Sequence, residues 1–261
     1  MKKHILTILV LAIAVFCSPI HAKSDTDKNI DLTTIDGVLQ KLAQQTAKLV
    51  SLQADIEYLF VQDPELLDAK TLQKGIFYYK KYDDRSKIRI DFTTRKIDDE
   101  DDEKYFEQVI FDGVWIARID HQLKTAKYDQ QAPEDEPVEA FEFVSRNFPL
   151  IGFTKIDQLR ENYEIKVAGQ APNVPIDPTK PIFLHLEPKP GSKYVQDYAV
   201  VQLKIDNEIF LPVRLVTKTP EGDLYQIKLD NAKVNKNIEN NIFNVEPPAD
   251  FVQDKRSLED K

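Results

Sequence analysis

The chain has 261 residues, 42% hydrophobic and 30% charged, enough for one sizeable domain or two small ones. Its 44 acidic residues outnumber its 35 basic ones, for a net charge of −9, and loss of Lys2 and Lys3 with a leader makes the remainder more negative still. Such a balance repels phosphate backbones and anionic lipid surfaces alike, which speaks against nucleic-acid binding.

Lys2 and Lys3 precede an apolar run from Ile5 to Phe16, followed by Ser18-Pro19-Ile20-His21-Ala22. This is the layout of a signal peptide, 1–22, leaving 23–261 as a single domain. No later stretch reaches the roughly 20 apolar residues of a membrane helix. The only cysteine, Cys17, lies inside the leader. Bulky Phe16 before it disfavours lipidation, so cleavage after Ala22 is expected, with release as a soluble periplasmic protein. The mature chain then has no disulfide, no Cys-ligated zinc and no Cys nucleophile.

Leu32 to Leu52 carries apolar residues at Ile35, Val38, Leu39, Leu42, Leu49 and Val50, the spacing of an amphipathic helix, with Thr33 or Thr34 as its cap. From Gln53 the period becomes two, Ala54, Ile56, Tyr58 and Phe60 alternating with their neighbours up to Asp63-Pro64. Further strands are expected over Leu72–Tyr82, Lys87–Phe92, Tyr105–Phe111, Val114–Ile119 and Leu123–Tyr128. Asp112-Gly113 is a hairpin signal, so the centre is an antiparallel meander. The acidic run Asp98–Glu103 lacks the ligand spacing and central glycine of an EF-hand loop and is expected to be a solvated loop.

Gln131–Pro137 breaks the pattern before an apolar, partly helical segment bearing Val138, Phe141, Val144, Phe148, Leu150, Ile151 and Phe153, then a short helix over Thr154–Arg160. Strands resume at Tyr163–Val167, Ile182–Leu186, Tyr198–Ile205, Ile209–Thr217 and Leu224–Leu229, with Gly169–Pro181 as a loop insertion. After ten polar residues Phe243 and Val245 return to apolar surface as an anchor that seals one end, and Pro247-Pro248 are expected to end the sheet.

About eleven antiparallel strands with few helices make an α+β domain whose sheet is too large to stay flat. One face of nearly every strand is aliphatic or aromatic and the helices cover only part of it. The rest is a candidate apolar cavity. Catalysis finds little support, since His121 and His185 share no motif and no nucleophile elbow, P-loop or metal-ligand spacing occurs. No metal, cofactor or catalytic residue is expected.

Four stretches in this order, VSLQADIEYLFVQ (50–62), VIFDGVWIARID (109–120), FLHLEPK (183–189) and KVNKNIENNIFNVEPPADF (233–251), resemble the LolA-like family of periplasmic outer-membrane lipoprotein carriers. The resemblance implies a curved sheet forming an unclosed half β-barrel, with covering helices acting as a lid over a lipid-accepting cavity. It also implies partners: lipoprotein acyl chains or other lipid, an inner-membrane lipoprotein-releasing transporter and an outer-membrane acceptor, met by a monomer. The family places a basic residue and a proline after a glycine of the second strand, to hold the lid closed. Here Lys81 stands for the arginine and Tyr82 for the proline, beyond Gly75, and lysine lacks the planar fork of arginine.

The cavity candidates are Ile56, Tyr58, Phe60, Ile88, Ile90, Phe92, Val109, Phe111 and Trp115, although Trp115, just after the hairpin turn, either lines the mouth or merely packs. The lid candidates are Phe141, Val144 and Phe148, which otherwise complete an ordinary core, and Lys81 is the latch candidate. Three functions fit: a soluble carrier, a membrane-anchored acceptor that needs Cys17 lipidated, and a lipid-sensing periplasmic regulator, a type that carries an extra domain after the sheet.

Overall fold

The computed structural model describes residues 30–260 apart from 64, 84, 141–142, 144–155 and 172–173. The expected leader 1–22, the start of the expected helix at Thr154 and the lid candidates Phe141, Val144 and Phe148 lie outside the described residues.

Helix α1, Ile35–Ala47, starts where Thr34 Oγ1 accepts the Gly37 amide at 3.1 Å, so Thr34 is the cap. It ends five residues short of the expected Leu52, because Ser51 and Leu52 already pair with Lys80 and Tyr79. The turn is held by Asn235, whose side-chain oxygen accepts the Val50 amide at 2.8 Å while its Nδ2 donates to the Lys48 carbonyl at 3.2 Å.

The strands are β1 Ser51–Gln62, β2 Ala69–Lys81, β3 Ser86–Ile97, β4 Glu103–Phe111, β5 Trp115–Asp120, β6 Thr125–Gln130, β7 Tyr163–Val167, β8 Ile182–Pro188, β9 Val200–Ile205, β10 Pro212–Lys218, β11 Leu224–Val234 and β12 Val252–Arg256. A second helix, α2 Ile156–Asn162, runs directly into β7. All strands form one sheet of order β12-β6-β5-β4-β3-β2-β1-β11-β10-β9-β8-β7. Strand β1 pairs with both β2 and β11, so the first strand joins the two meanders at their middle, and β7 and β12 remain as edges. This is a curved, unclosed half-barrel with covering helices, the architecture that the resemblance implies.

Register shifts at Gln53/Asp55, Lys74/Gly75, Phe92/Thr94 and Pro212/Arg214 bend the strands, since each bulge adds local twist. At Gly75 a Cβ would stand 1.8 Å from the Asp91 carbonyl oxygen, so only glycine lets β2 approach β3 this closely.

Alternation sorts the faces. On one, Val38, Leu39 and Leu42 of α1 pack on Leu184 and Leu186 of β8, Leu203 of β9 and Leu215 of β10. Each such side chain contributes about 1.5–3 kcal/mol on burial. Helix α1 thus covers the β8–β10 half of this concave face and leaves the half from β11 across β1 to β5.

The C-terminal tail departs from expectation. Pro247-Pro248 do not end the sheet: β12 follows them and pairs in parallel with β6. Proline removes a ladder donor only at its own position, and the chain crosses to the far edge before pairing again. Nor do Phe243 and Val245 seal an end. Val245 and Phe251 pack on Ile110, Ile119 and Ala126, which face away from the cavity, and Phe243 meets Tyr82 edge-on at 6.4 Å. Arg89 donates to the Ile242 carbonyl and Lys80 to the Ile238 carbonyl, tying the tail across the convex side.

The acidic run forms the β3–β4 connection. Its flanks are tied by the Lys74–Asp102 pair at 3.0 Å and the Arg95–Glu103 pair at 2.7 Å, both partly or largely exposed.

Candidate binding cavity

A cavity of about 850 Å³ lies on the concave face, spanning the part that α1 leaves open and reaching Leu203 of β9 and Leu215 and Thr217 of β10. Its apolar floor comes from alternate positions on neighbouring strands: Ile56 on β1, Phe77 on β2, Ile88 and Ile90 on β3, Val109 and Phe111 on β4. Ile116 of β5 and Ile227 and Leu229 of β11 continue it, while Thr46 and Leu49 close the side nearest α1. Gly113 of the β4–β5 turn has φ 102°, and Asp112 Oδ1 accepts the amides of Val114 at 2.9 Å and Trp115 at 2.7 Å. The hairpin therefore sets Ile116 opposite Phe111, on the cavity side.

Of the sequence candidates, Ile56, Ile88, Ile90, Val109 and Phe111 line the cavity. Tyr58 and Phe92 belong to the same apolar cluster, their rings 6.3 Å apart. Phe60 lies further along β1, its ring 4.9 Å from that of Tyr225. Trp115 belongs elsewhere: its indole donates to Glu134 at 2.7 Å and Lys255 Nζ sits 4.1 Å over its ring. Parity explains the difference, because Trp115 and Ile116 are adjacent on one strand and point to opposite faces. Lys81 is exposed at the end of β2, with its amide donating to the Val50 carbonyl at 2.8 Å.

After Gln131–Pro137, Val138, Ala140 and Phe143 pack into the apolar cluster beside the cavity. The Val138 amide donates to the Gly113 carbonyl at 2.8 Å, Ala140 is fully buried, and the Phe143 ring stacks on Phe111 at 4.0 Å. A polar clamp holds this segment. Ser86, itself fully buried, accepts the Ala140 amide at 2.7 Å and donates to Glu139 Oε1 at 2.6 Å, and Tyr79 OH donates to the same oxygen at 3.1 Å. Burial, then the Glu139 carboxylate, push the Tyr79 hydroxyl far above its ordinary range, which keeps it a donor. Ser86, Tyr79 and Glu139 are missing from the sequence candidates, because nothing local marks three residues that meet across more than fifty positions.

The opposite end of the same face is polar. Glu107, 8% exposed, accepts from Gln73 at 3.0 Å and pairs with Arg118 at 3.2 Å. The Tyr58 hydroxyl nearby is pushed up to about 12 by burial first and by neighbouring Tyr225 and Glu107 after it. Thr217, Thr219, Tyr198 and Tyr225 complete this end, with Gln196, Asp197, Arg214 and Glu221 also on the wall. The cavity thus runs from an apolar end to a polar one.

His121 and His185 have partners away from the cavity wall. His121 Nε2 lies 3.0 Å from Gln108 Oε1 with its ring tilted against Phe106 at 4.3 Å, and burial lowers its pKa; His185 Nε2 lies 3.0 Å from Glu187. Among the described residues no group of three or more histidine, aspartate or glutamate side chains is arranged to hold a metal.

No protein-family model and no curated protein matches the chain. Solved structures are similar in fold. An uncharacterized conserved protein from Thermus thermophilus superposes with a TM-score of 0.47 at 11% identity, over 85% of this chain and 98% of that one. MucB, in a Pseudomonas aeruginosa MucA/MucB complex, gives 0.44 at 13% identity over 80% of this chain; the chain spans 60% of that protein's length. A LolA superfamily protein from Nitrosomonas europaea gives 0.35 at 11% identity, over 80% of this chain and 97% of that one.

Proposed function

We propose that residues 23–261 form a single carrier domain that binds the acyl chains of lipoproteins, or of other lipids, in its concave cavity. It ferries them across the periplasm toward an outer membrane, and the chain reaches the periplasm through a cleaved leader, 1–22. It acts as a monomer and without catalysis, taking cargo from an inner-membrane releasing transporter and passing it to an outer-membrane acceptor.

The observation that carries this reading is the cavity of about 850 Å³ on the concave face, spanning the part that α1 leaves open and floored by Ile56, Ile88, Ile90 and Val109. An acyl chain gains about 0.8 kcal/mol per methylene on leaving water, so a shuttle needs a dry site of this kind. It must also release its cargo. Phe143, stacked on Phe111 within the cavity, occupies apolar surface that a chain would cover, so re-closure compensates for departure of the ligand.

The test is extraction of the purified protein into organic solvent, with mass spectrometry of what is released, alongside titration of the delipidated protein with a fluorescent fatty acid. Saturable binding displaced by unlabelled lipid is expected. A protein that yields no lipid and leaves the probe unaffected refutes the reading. Mass spectrometry of the mature N-terminus separates a free start after Ala22 from an acylated Cys17, which would make it a membrane-anchored acceptor instead.

A further inference from the structure

Thr217 lies on the concave face of β10, two positions beyond Leu215 and opposite Tyr225 of β11 and Val201 of β9. It is 1% exposed and lines the cavity, and its hydroxyl has no hydrogen-bond partner among the described residues. Thr219, two residues further on at the start of the β10–β11 turn, lines the same wall with a buried, equally unpartnered hydroxyl. A buried hydroxyl without a partner carries a desolvation penalty, so two of them in one cavity wall mark a place where something polar belongs.

Their position defines what that is. They stand at the polar end, while Phe143, Phe111 and Leu49 line the apolar end. A chain directed toward Phe143 brings its first polar atoms to β10. Those atoms must be neutral, since at the depth of Thr217 an unpaired charge would be strongly disfavoured. A threonine hydroxyl has one proton to donate, and a neutral acceptor is the group that satisfies it. Of the charges at this end, buried Glu107 is already paired with Arg118 and bonded by Gln73, while Arg118, whose side chain is 65% exposed, Arg214 and Glu221 reach solvent.

Building on the carrier reading, we infer that Thr217 and Thr219 form a carbonyl-recognition site. Their hydroxyls donate to the ester or amide carbonyls that join acyl chains to a ligand's backbone, fixing its direction with chains toward Phe143 and headgroup toward the β10–β11 turn. Ester carbonyls of this kind occur in membrane phospholipids and in diacylated lipoprotein anchors.

The experiment compares wild type with Thr217→Val, which keeps the shape and removes the hydroxyl, against three probes: an ester-linked diacyl phospholipid, its ether-linked analogue without carbonyls, and a diacylated lipopeptide. Thr217→Val is expected to melt at or above the wild-type temperature, because it deletes an unpartnered polar group. Affinity for the ester-bearing probes is expected to fall about tenfold, the size of one hydrogen bond to a buried partner. Affinity for the ether lipid stays unchanged. Loss confined to the phospholipid or to the lipopeptide tells which source the site reads. Thr217→Ser, which retains the hydroxyl, restores discrimination, and Thr219→Val supplies an independent second variant. Equal loss for ester and ether probes, or no loss for any, overturns the assignment while leaving the carrier reading intact. Wild-type protein that binds none of the three overturns both.

Discussion

Val109→Phe separates a functional cavity from a loosely packed core. Val109 is half-buried on β4, across from Ile90 on β3 and Arg118 on β5, and its side chain lines the cavity of about 850 Å³. Phenylalanine adds about four carbon atoms that extend into open apolar space rather than into packed neighbours. At about 0.8 kcal/mol per fully buried carbon group the upper limit is about 3 kcal/mol, and a partly covered ring gains about 1–2 kcal/mol. For a domain of this size each kcal/mol corresponds to about 2–4 °C in Tm. The same ring displaces about four methylenes of a bound chain, so probe affinity falls by about 100-fold. Stability and binding thus move in opposite directions, which a merely misfolded variant does not produce. The assay is a thermal melt of the delipidated protein beside a fluorescent fatty-acid titration. A variant that melts lower shows that the space is already filled; one that melts higher and binds as before places the ligand elsewhere.

Glu139→Ala removes the acceptor shared by Ser86 and Tyr79, and hydrogen exchange at the Ala140 amide, bonded to Ser86, is expected to quicken about tenfold; unchanged exchange refutes the clamp. Gly75→Ala drives a Cβ into the Asp91 carbonyl oxygen, which stands 1.8 Å away, and a loss of about 3 kcal/mol or more in chemical denaturation is expected because the nearest atoms it meets, in Asp91 and Phe92, are backbone and cannot rotate aside. At Asp120 burial raises the carboxyl pKa, but the hydrogen bond from Tyr105 at 2.5 Å and the Leu123 and Gln122 amides outweigh it, so the net shift is downward from 3.8. A depressed folded-state pKa contributes stability present above the unfolded value and lost as pH falls through the folded one. Asp120→Asn is therefore expected to be less stable at pH 7 and to lose less than wild type on acidification below about 4; parallel acid limbs refute this.

Most strand positions were legible because alternation is a local property. Tyr163–Val167 appears in the structure with the bounds its pattern implies, and the parity of Ile56, Ile88, Ile90, Val109 and Phe111 places them on one face. Beyond the hairpin turn, alternation alone leaves Trp115 open between the mouth and simple packing, and the register decides it by setting Ile116 opposite Phe111. Strand β12 escaped notice because Val252–Arg256 is exposed throughout and carries no alternating pattern; only the neighbouring β6 edge makes it a strand. The Glu139 clamp was invisible for another reason, since Ser86 and Tyr79 reach it from different strands.

The sequence by itself determined the two periodicities, a capped start of α1 at Thr33 or Thr34, the hairpin at Asp112-Gly113 and the set of residues able to share an apolar face, all consequences of steric preferences acting over a few residues. Tertiary structure decided which part of that face stays open. The length of α1 and its seat on β8 to β10 leave β1 to β5 and β11 uncovered. Long-range pairing of β1 with β11, and of β11 with β10, then brings Thr217 into the buried wall of the same cavity that Phe143 lines. Contacts of that range depend on how the whole sheet curls, and no window of a few residues contains them.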